Sequence, residues 1–136
     1  MASKEKNAAE VARYQVDLEW YKQNEKDLAG VLTSRRCSNC RKDIGSTPDK
    51  YPSVKEHFTQ FNKCCGTKDE YLGEYMSIKE IVFRILVRDR NQPKTIDSIY
   101  KSVASHLQSR SYSRVIPASW LTKMLDDDQT YGIHAA

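Results

Sequence analysis

The 136-residue chain has no hydrophobic run approaching the roughly 18 apolar residues of a membrane-spanning helix. Its opening residues, Met1-Ala2-Ser3-Lys4-Glu5-Lys6, mix charges and lack the apolar centre of an export signal. The expectation is therefore a cytoplasmic protein with no membrane partner. Glycine is sparse: the five present are scattered, which leaves no phosphate-cradling loop and no dinucleotide fingerprint. There is no HExxH helix. The deaminase pattern of a histidine–glutamate arm followed by paired cysteines is not met either, because Glu56-His57 is reversed and lies between the cysteines. These absences argue against an enzyme. Large charge excess is also missing: the net charge of +4 permits nucleic-acid contact without demanding it.

What the chain does have is a concentration of cysteine. All four cysteines fall between positions 37 and 65, as Cys37-Ser38-Asn39-Cys40 and Cys64-Cys65. A CxxC puts two thiolates on one tight turn, where both can face one ion, and a tetrahedral Zn²⁺ site takes four such ligands. Arg35, Arg36, Arg41 and Lys42 flank the first arm, and positive charge favours thiolate over thiol. The expected cofactor is a structural Zn²⁺ held by Cys37, Cys40, Cys64 and Cys65. His57 is the alternative fourth ligand: on a helix over 53–62 it shares a face with position 64. A disulfide module needs an oxidising compartment, and a thioredoxin-like CxxC needs an apolar strand before it, which Cys37 lacks. A four-thiolate ion has no open position for water, so its role would be structural.

The expected organisation is mainly α, in two units. The first, residues 1–73, would join a long helix to the cysteine module. Val11, Tyr14, Leu18, Tyr21, Leu28 and Leu32 recur at three, four and seven residues, the stripe of an amphipathic helix. That stripe would pack on the cysteine module or on a second copy of the chain. Ser53 can cap a helix carrying Val54, His57, Phe58 and Phe61, with Gly66 suited to a left-handed cap after it. A module this small buries a thin core, and a metal would help it hold a fold.

The second unit is expected over 74–136. Ser77 and Glu80 form a capping box ahead of Ile78, Ile81, Val82, Ile85 and Leu86. Asn91-Gln92-Pro93 breaks that helix. Thr95 can cap the next, which carries Ile96, Ile99, Tyr100, Val103 and Leu107. Pro117 opens a third, with Ala118, Leu121, Met124 and Leu125 on one face and Trp120 beside it. Tyr131 to Ile133 offers one short strand. Three helices in this order with a short extended tail resemble a winged helix-turn-helix domain, over about 75–133. The resemblance rests on Ile81-Val82-Phe83-Arg84-Ile85-Leu86 and Thr95-Ile96-Asp97-Ser98-Ile99-Tyr100 as the first two helices. It implies that Pro117 to Asp126 is the helix that enters the DNA major groove. A wing needs two strands and this tail has room for one, so the expected wing is short or incomplete.

Charge placement bears on that implication. Between Lys101 and Lys123 there are basic residues at Lys101, Arg110, Arg114 and Lys123, and no acidic one. Arg110 and Arg114 are candidate phosphate contacts. Ser119, Thr122 and Lys123 are candidates for base edges on the third helix. Asp126-Asp127-Asp128 stands against this, beside the place where a wing would meet phosphate. The sequence therefore supports a zinc-stabilised winged-helix protein that binds duplex DNA in transcription regulation or a related process. The alternative is an adaptor that binds protein through the winged helix and the long first helix.

Overall fold

The computed structural model describes residues 11–73, 76–109 and 116–136. Seven α-helices and a three-stranded antiparallel sheet make up the described residues. In chain order they are β1 (Arg13–Val16), α1 (Leu18–Gln23), α2 (Leu28–Arg35), α3 (Ser38–Ile44), α4 (Val54–Lys63), α5 (Ile78–Arg88), β2 (Lys94–Thr95), α6 (Ile96–Ser109), α7 (Ala118–Asp126) and β3 (Ile133–Ala135). Single 3₁₀ turns cover Pro48–Lys50, Cys65–Thr67 and Asp69–Tyr71.

The expected long first helix is absent, and its residues divide into a strand and two short helices. Aspartate caps set the breaks. Asp17 accepts a hydrogen bond from the Trp20 backbone N–H at 3.2 Å, and Asp27 from that of Gly30 at 3.0 Å. Each cap satisfies donors that a helix N-terminus leaves free, so a helix starts there rather than running through. Glu25 between them takes a left-handed φ of 53°. Of the six stripe residues, Tyr14, Tyr21, Leu28 and Leu32 are buried in this chain, while Val11 and Leu18 are 50% and 43% exposed. The continuous helix on which self-association was expected does not form.

Strand β1 is the middle strand, in the order β2-β1-β3. Tyr14 pairs with Lys94 on one side and Ala135 on the other, and Val16 pairs with Ile133. Tyr14 and Val16 point inward at the two-residue period of a strand. Asn91 extends the pairing by its side chain: its Oδ1 accepts from the Val16 N–H at 2.7 Å and its Nδ2 donates to the Val16 carbonyl at 2.9 Å. The short β3 thus pairs with a segment near the other end of the chain.

Helix α5 is the centre of the packing. Ser77 caps it, accepting from the Glu80 N–H at 3.2 Å. Ile78, Ile81, Val82, Phe83, Ile85, Leu86 and Val87 are all buried. The Glu80 carboxylate does not close the expected capping box; it bridges Arg35, Arg84 and Tyr131 instead. Phe58 and Phe61 of α4, Tyr14 and Val16 of β1, and Leu121 and Leu125 of α7 join the same buried cluster. The expected boundary at 73/74 is crossed both by this core and by the sheet. Gly66 has no left-handed φ. Its glycine character serves close packing, because a Cβ there would meet the Phe61 carbonyl oxygen and the Arg88 side chain.

Candidate metal centre

The two cysteine arms meet between α2, α3 and the end of α4. Cys37 is the N-cap of α3 and Cys40 lies in its first turn. Cys64 ends α4 and Cys65 opens the following 3₁₀ turn. The four sulfurs lie within 4.8 Å of one another, a group that could hold a metal ion. Cys40 and Cys64 Sγ are 3.9 Å apart, and none of the four is in a disulfide. Tetrahedral Zn²⁺ with Zn–S near 2.3 Å requires sulfurs about 3.8 Å apart. The donor set and its spacing therefore fit such an ion.

The thiols do not titrate alike, and burial pushes the Cys65 thiol up. The Cys40 backbone N–H, despite some desolvation, pulls the Cys37 thiol down to about 7. Hydrogen bonding to Cys40 and then burial push Cys64 up to about 11. Four crowded thiols cannot all lose their protons unless a cation joins them.

Arg36 supplies part of that charge and was not singled out by sequence beyond its place beside Cys37. It is only 6% exposed. Its Nε donates to Cys65 Sγ at 3.1 Å, and the Cys37 backbone N–H donates to the same sulfur at 3.2 Å. Among the described residues Arg36 has no carboxylate partner, so thiolates formed on metal binding would be its counter-charge. Its other end fixes His57. Nη1 lies 3.0 Å from His57 Nδ1 and can only donate, so Nδ1 accepts and Nε2 carries the proton. Nε2 then donates to Thr33 Oγ1 at 3.0 Å, and that hydroxyl donates to the Ala29 carbonyl at 2.7 Å. Burial, reinforced by Arg36, holds the His57 pKa down at about 4. With both ring nitrogens engaged, His57 stands outside the sulfur group and braces it through Arg36.

The residues expected to meet DNA are placed less completely. Arg110 and Arg114 lie outside the described residues. Ser119 and Lys123 are exposed on α7, while Leu121 and Leu125 face the core. Thr122 is half-buried, with its hydroxyl donating to the Ala118 carbonyl at 3.4 Å. Trp120, on the same helix, is 63% exposed. The aspartate triplet is largely occupied within the fold. Asp126 accepts from the Tyr14 hydroxyl at 2.6 Å. Asp128 is buried and accepts from the backbone N–H groups of Thr130, Tyr131 and Ile133 and from Lys79. Burial alone would raise its pKa, but these donors outweigh it and the pKa is lowered. Of the three, Asp127 is an exposed carboxylate with no partner among the described residues.

No protein family, no curated protein and no solved structure matches the chain. Among the described residues no helix is long and apolar enough to cross a membrane.

Proposed function

We propose that this is a zinc-stabilised DNA-associated protein, in which the four cysteines hold a structural Zn²⁺ and α7 of a winged-helix-like unit meets duplex DNA. The sulfur cluster carries the proposal: four thiols at metal-ligand spacing, one of them against a buried guanidinium that has no carboxylate partner among the described residues. Zinc suits an all-thiolate closed set better than the harder divalent ions. The DNA part is supported by the outward Ser119 and Lys123 of α7. It is also supported by the placing of β1, which gives the short β3 a strand to pair with, and by the internal use of Asp126 and Asp128. Cytoplasmic location and transcription regulation are the corresponding settings.

Two measurements test it. Protein purified without added metal should contain about one zinc per chain, and metal-free protein unaffected by a strong chelator would end the zinc assignment. Mixed-sequence duplex should bind at about 50 mM salt, with a log–log salt slope of roughly −3 to −5 for three to five phosphates. Arg110→Ala and Arg114→Ala should weaken all sequences alike, and Lys123→Ala should cost more on a preferred site. Absence of binding by folded, metal-loaded protein would favour the adaptor. Trp120 is the observation on that side: a large aromatic left 63% exposed is the kind of anchor that protein interfaces use.

A further inference from the structure

Beside the sulfur cluster, α2, α3, the Asp69–Tyr71 turn and α5 enclose a recess of about 330 Å³. Its wall carries five basic side chains, Arg35, Arg36, Arg41, Lys68 and Arg84, against one carboxylate, Glu70. Their commitments differ. Arg36 is turned to Cys65 and His57. Arg35 and Arg84 share a single carboxylate, Glu80, at 2.9 and 2.7 Å, so two guanidiniums are balanced by one anion. Arg41 and Lys68 are exposed, and neither side chain makes an ion pair or hydrogen bond among the described residues. The hydroxyl of Ser38 lies in the same wall.

Like charges gathered on one concave surface repel one another, and an anion relieves that repulsion. A divalent ion with four thiolates would add negative charge on the cluster side, part of which Arg36 already offsets. The mouth, bounded by Arg41, Lys68 and the under-compensated Arg35–Arg84 pair, stays positive against Glu70 alone.

We propose that this recess binds a phosphoryl group, held by Arg41 and Lys68 with Ser38 and Arg84 as further donors. A phosphoryl group carries three acceptor oxygens and up to two negative charges. It can therefore engage cations from separate elements at once, where a carboxylate offers two oxygens and one charge. The proposal does not depend on DNA binding by α7, because a free phosphate monoester and a nucleic-acid backbone present the same group.

The test is a backbone-amide NMR titration of the full, metal-loaded chain with inorganic phosphate, against chloride at equal ionic strength. Saturating shifts at Ser38, Arg41 and Lys68 are expected. Arg41→Ala combined with Lys68→Ala should weaken them by about tenfold or more, and Glu70→Gln should tighten binding by removing the one opposing charge. Mixed-sequence duplex in a second titration identifies the source. Shifts at the same amides assign the recess to backbone phosphate. Shifts with phosphate but not with duplex assign it to a small phosphate ester, whatever α7 does. No saturating response to phosphate, or a response unchanged in the double variant with its fold intact, overturns the proposal.

Discussion

Replacing Arg36 by methionine separates the guanidinium's electrostatic work from its packing. The side chain is 6% exposed, donates to Cys65 Sγ at 3.1 Å, and lies 5.7 Å from the Phe61 ring centroid. Methionine keeps much of the volume and the contact with Phe61. What is lost is the Nη1 donor to His57, which is the same with or without metal, and the Nε donor to Cys65, whose value depends on the state of that sulfur. A hydrogen bond to a charged group contributes about 1.5–3 kcal/mol, against about 1 kcal/mol for a neutral pair. In metal-bound protein Cys65 is a thiolate and the full charged-group value is lost. In metal-free protein the partner is a thiol, and removing a poorly compensated buried cation costs little. The loss therefore falls on metal affinity. With tenfold per about 1.4 kcal/mol, Zn²⁺ should bind about 10–100-fold more weakly. The assay is competition with a chromophoric chelator at pH 7, run beside thermal melts of both metal-free proteins. Affinity within about twofold of the parent, with a native circular dichroism spectrum, would refute the counter-charge argument. A drop in metal-free stability larger than the drop in affinity would refute it too, and would mean that Arg36 acts by packing on Phe61 and holding His57.

Further outcomes follow from contacts elsewhere. His57→Ala should retain the metal, because His57 braces the site through Arg36 and Thr33 without joining it; zinc analysis of the purified variant decides this. Burial opposes the charge on Glu80, but hydrogen bonds from Arg35 and Arg84 prevail and hold its pKa at about 2, well below the ordinary 4.5. A depressed carboxyl stabilises the fold above its unfolded value and loses that contribution as pH falls through its folded one. Wild type should therefore exceed Glu80→Gln by about 3 kcal/mol in urea unfolding at pH 7, with the gap closing between about pH 4.5 and 2. A gap independent of pH would show that the shared carboxylate is not its source. Asn91→Ala removes two hydrogen bonds to Val16 and places alanine at a φ of 57°, so a loss of about 2–3 kcal/mol is expected by denaturant titration. Trp120→Ala should leave stability within about 0.5 kcal/mol, so that any change in partner binding by this variant reports on the surface alone.

The elements legible in the sequence are those whose signals are local. Ser53, Ser77 and Thr95 each accept a backbone N–H three residues on, and each stands one place before a helix whose apolar spacing was plain. The cysteine arms were legible for the same reason, since a CxxC turn and an adjacent pair carry their chemistry in their spacing. Strand β1 was not. Its partners lie about eighty residues on in β2 and about one hundred and twenty on in β3, and nothing in Arg13-Tyr14-Gln15-Val16 names them. The intervals linking Tyr14, Tyr21 and Leu28 fit a helix as well as they fit three separate elements, because periodicity records which residues are buried and not what buries them. Asp17 and Asp27 were the local signs of the breaks. The apolar stripe runs across both of them and hides the breaks.

The same nonlocal strand ties the candidate metal site to the rest of the molecule. Strands β2 and β3 do not pair with each other; both pair only with β1, so the sheet depends on a segment that precedes the cysteines. From β1 the chain runs through α1 and α2 directly to Arg36 and Cys37. At the other arm, Cys65 is 1% exposed within the core cluster that α5 centres. Glu80 of α5 then holds Arg35, the residue before Arg36, at 2.9 Å. An ion joining Cys37 and Cys40 to Cys64 and Cys65 would thus close a ring of contacts through α2, α4, α5 and the sheet. Its binding energy would be shared with the packing of α5 rather than confined to one knuckle. A metal placed at such a junction acts as a cross-link: its effect on stability grows with the length of chain it closes off.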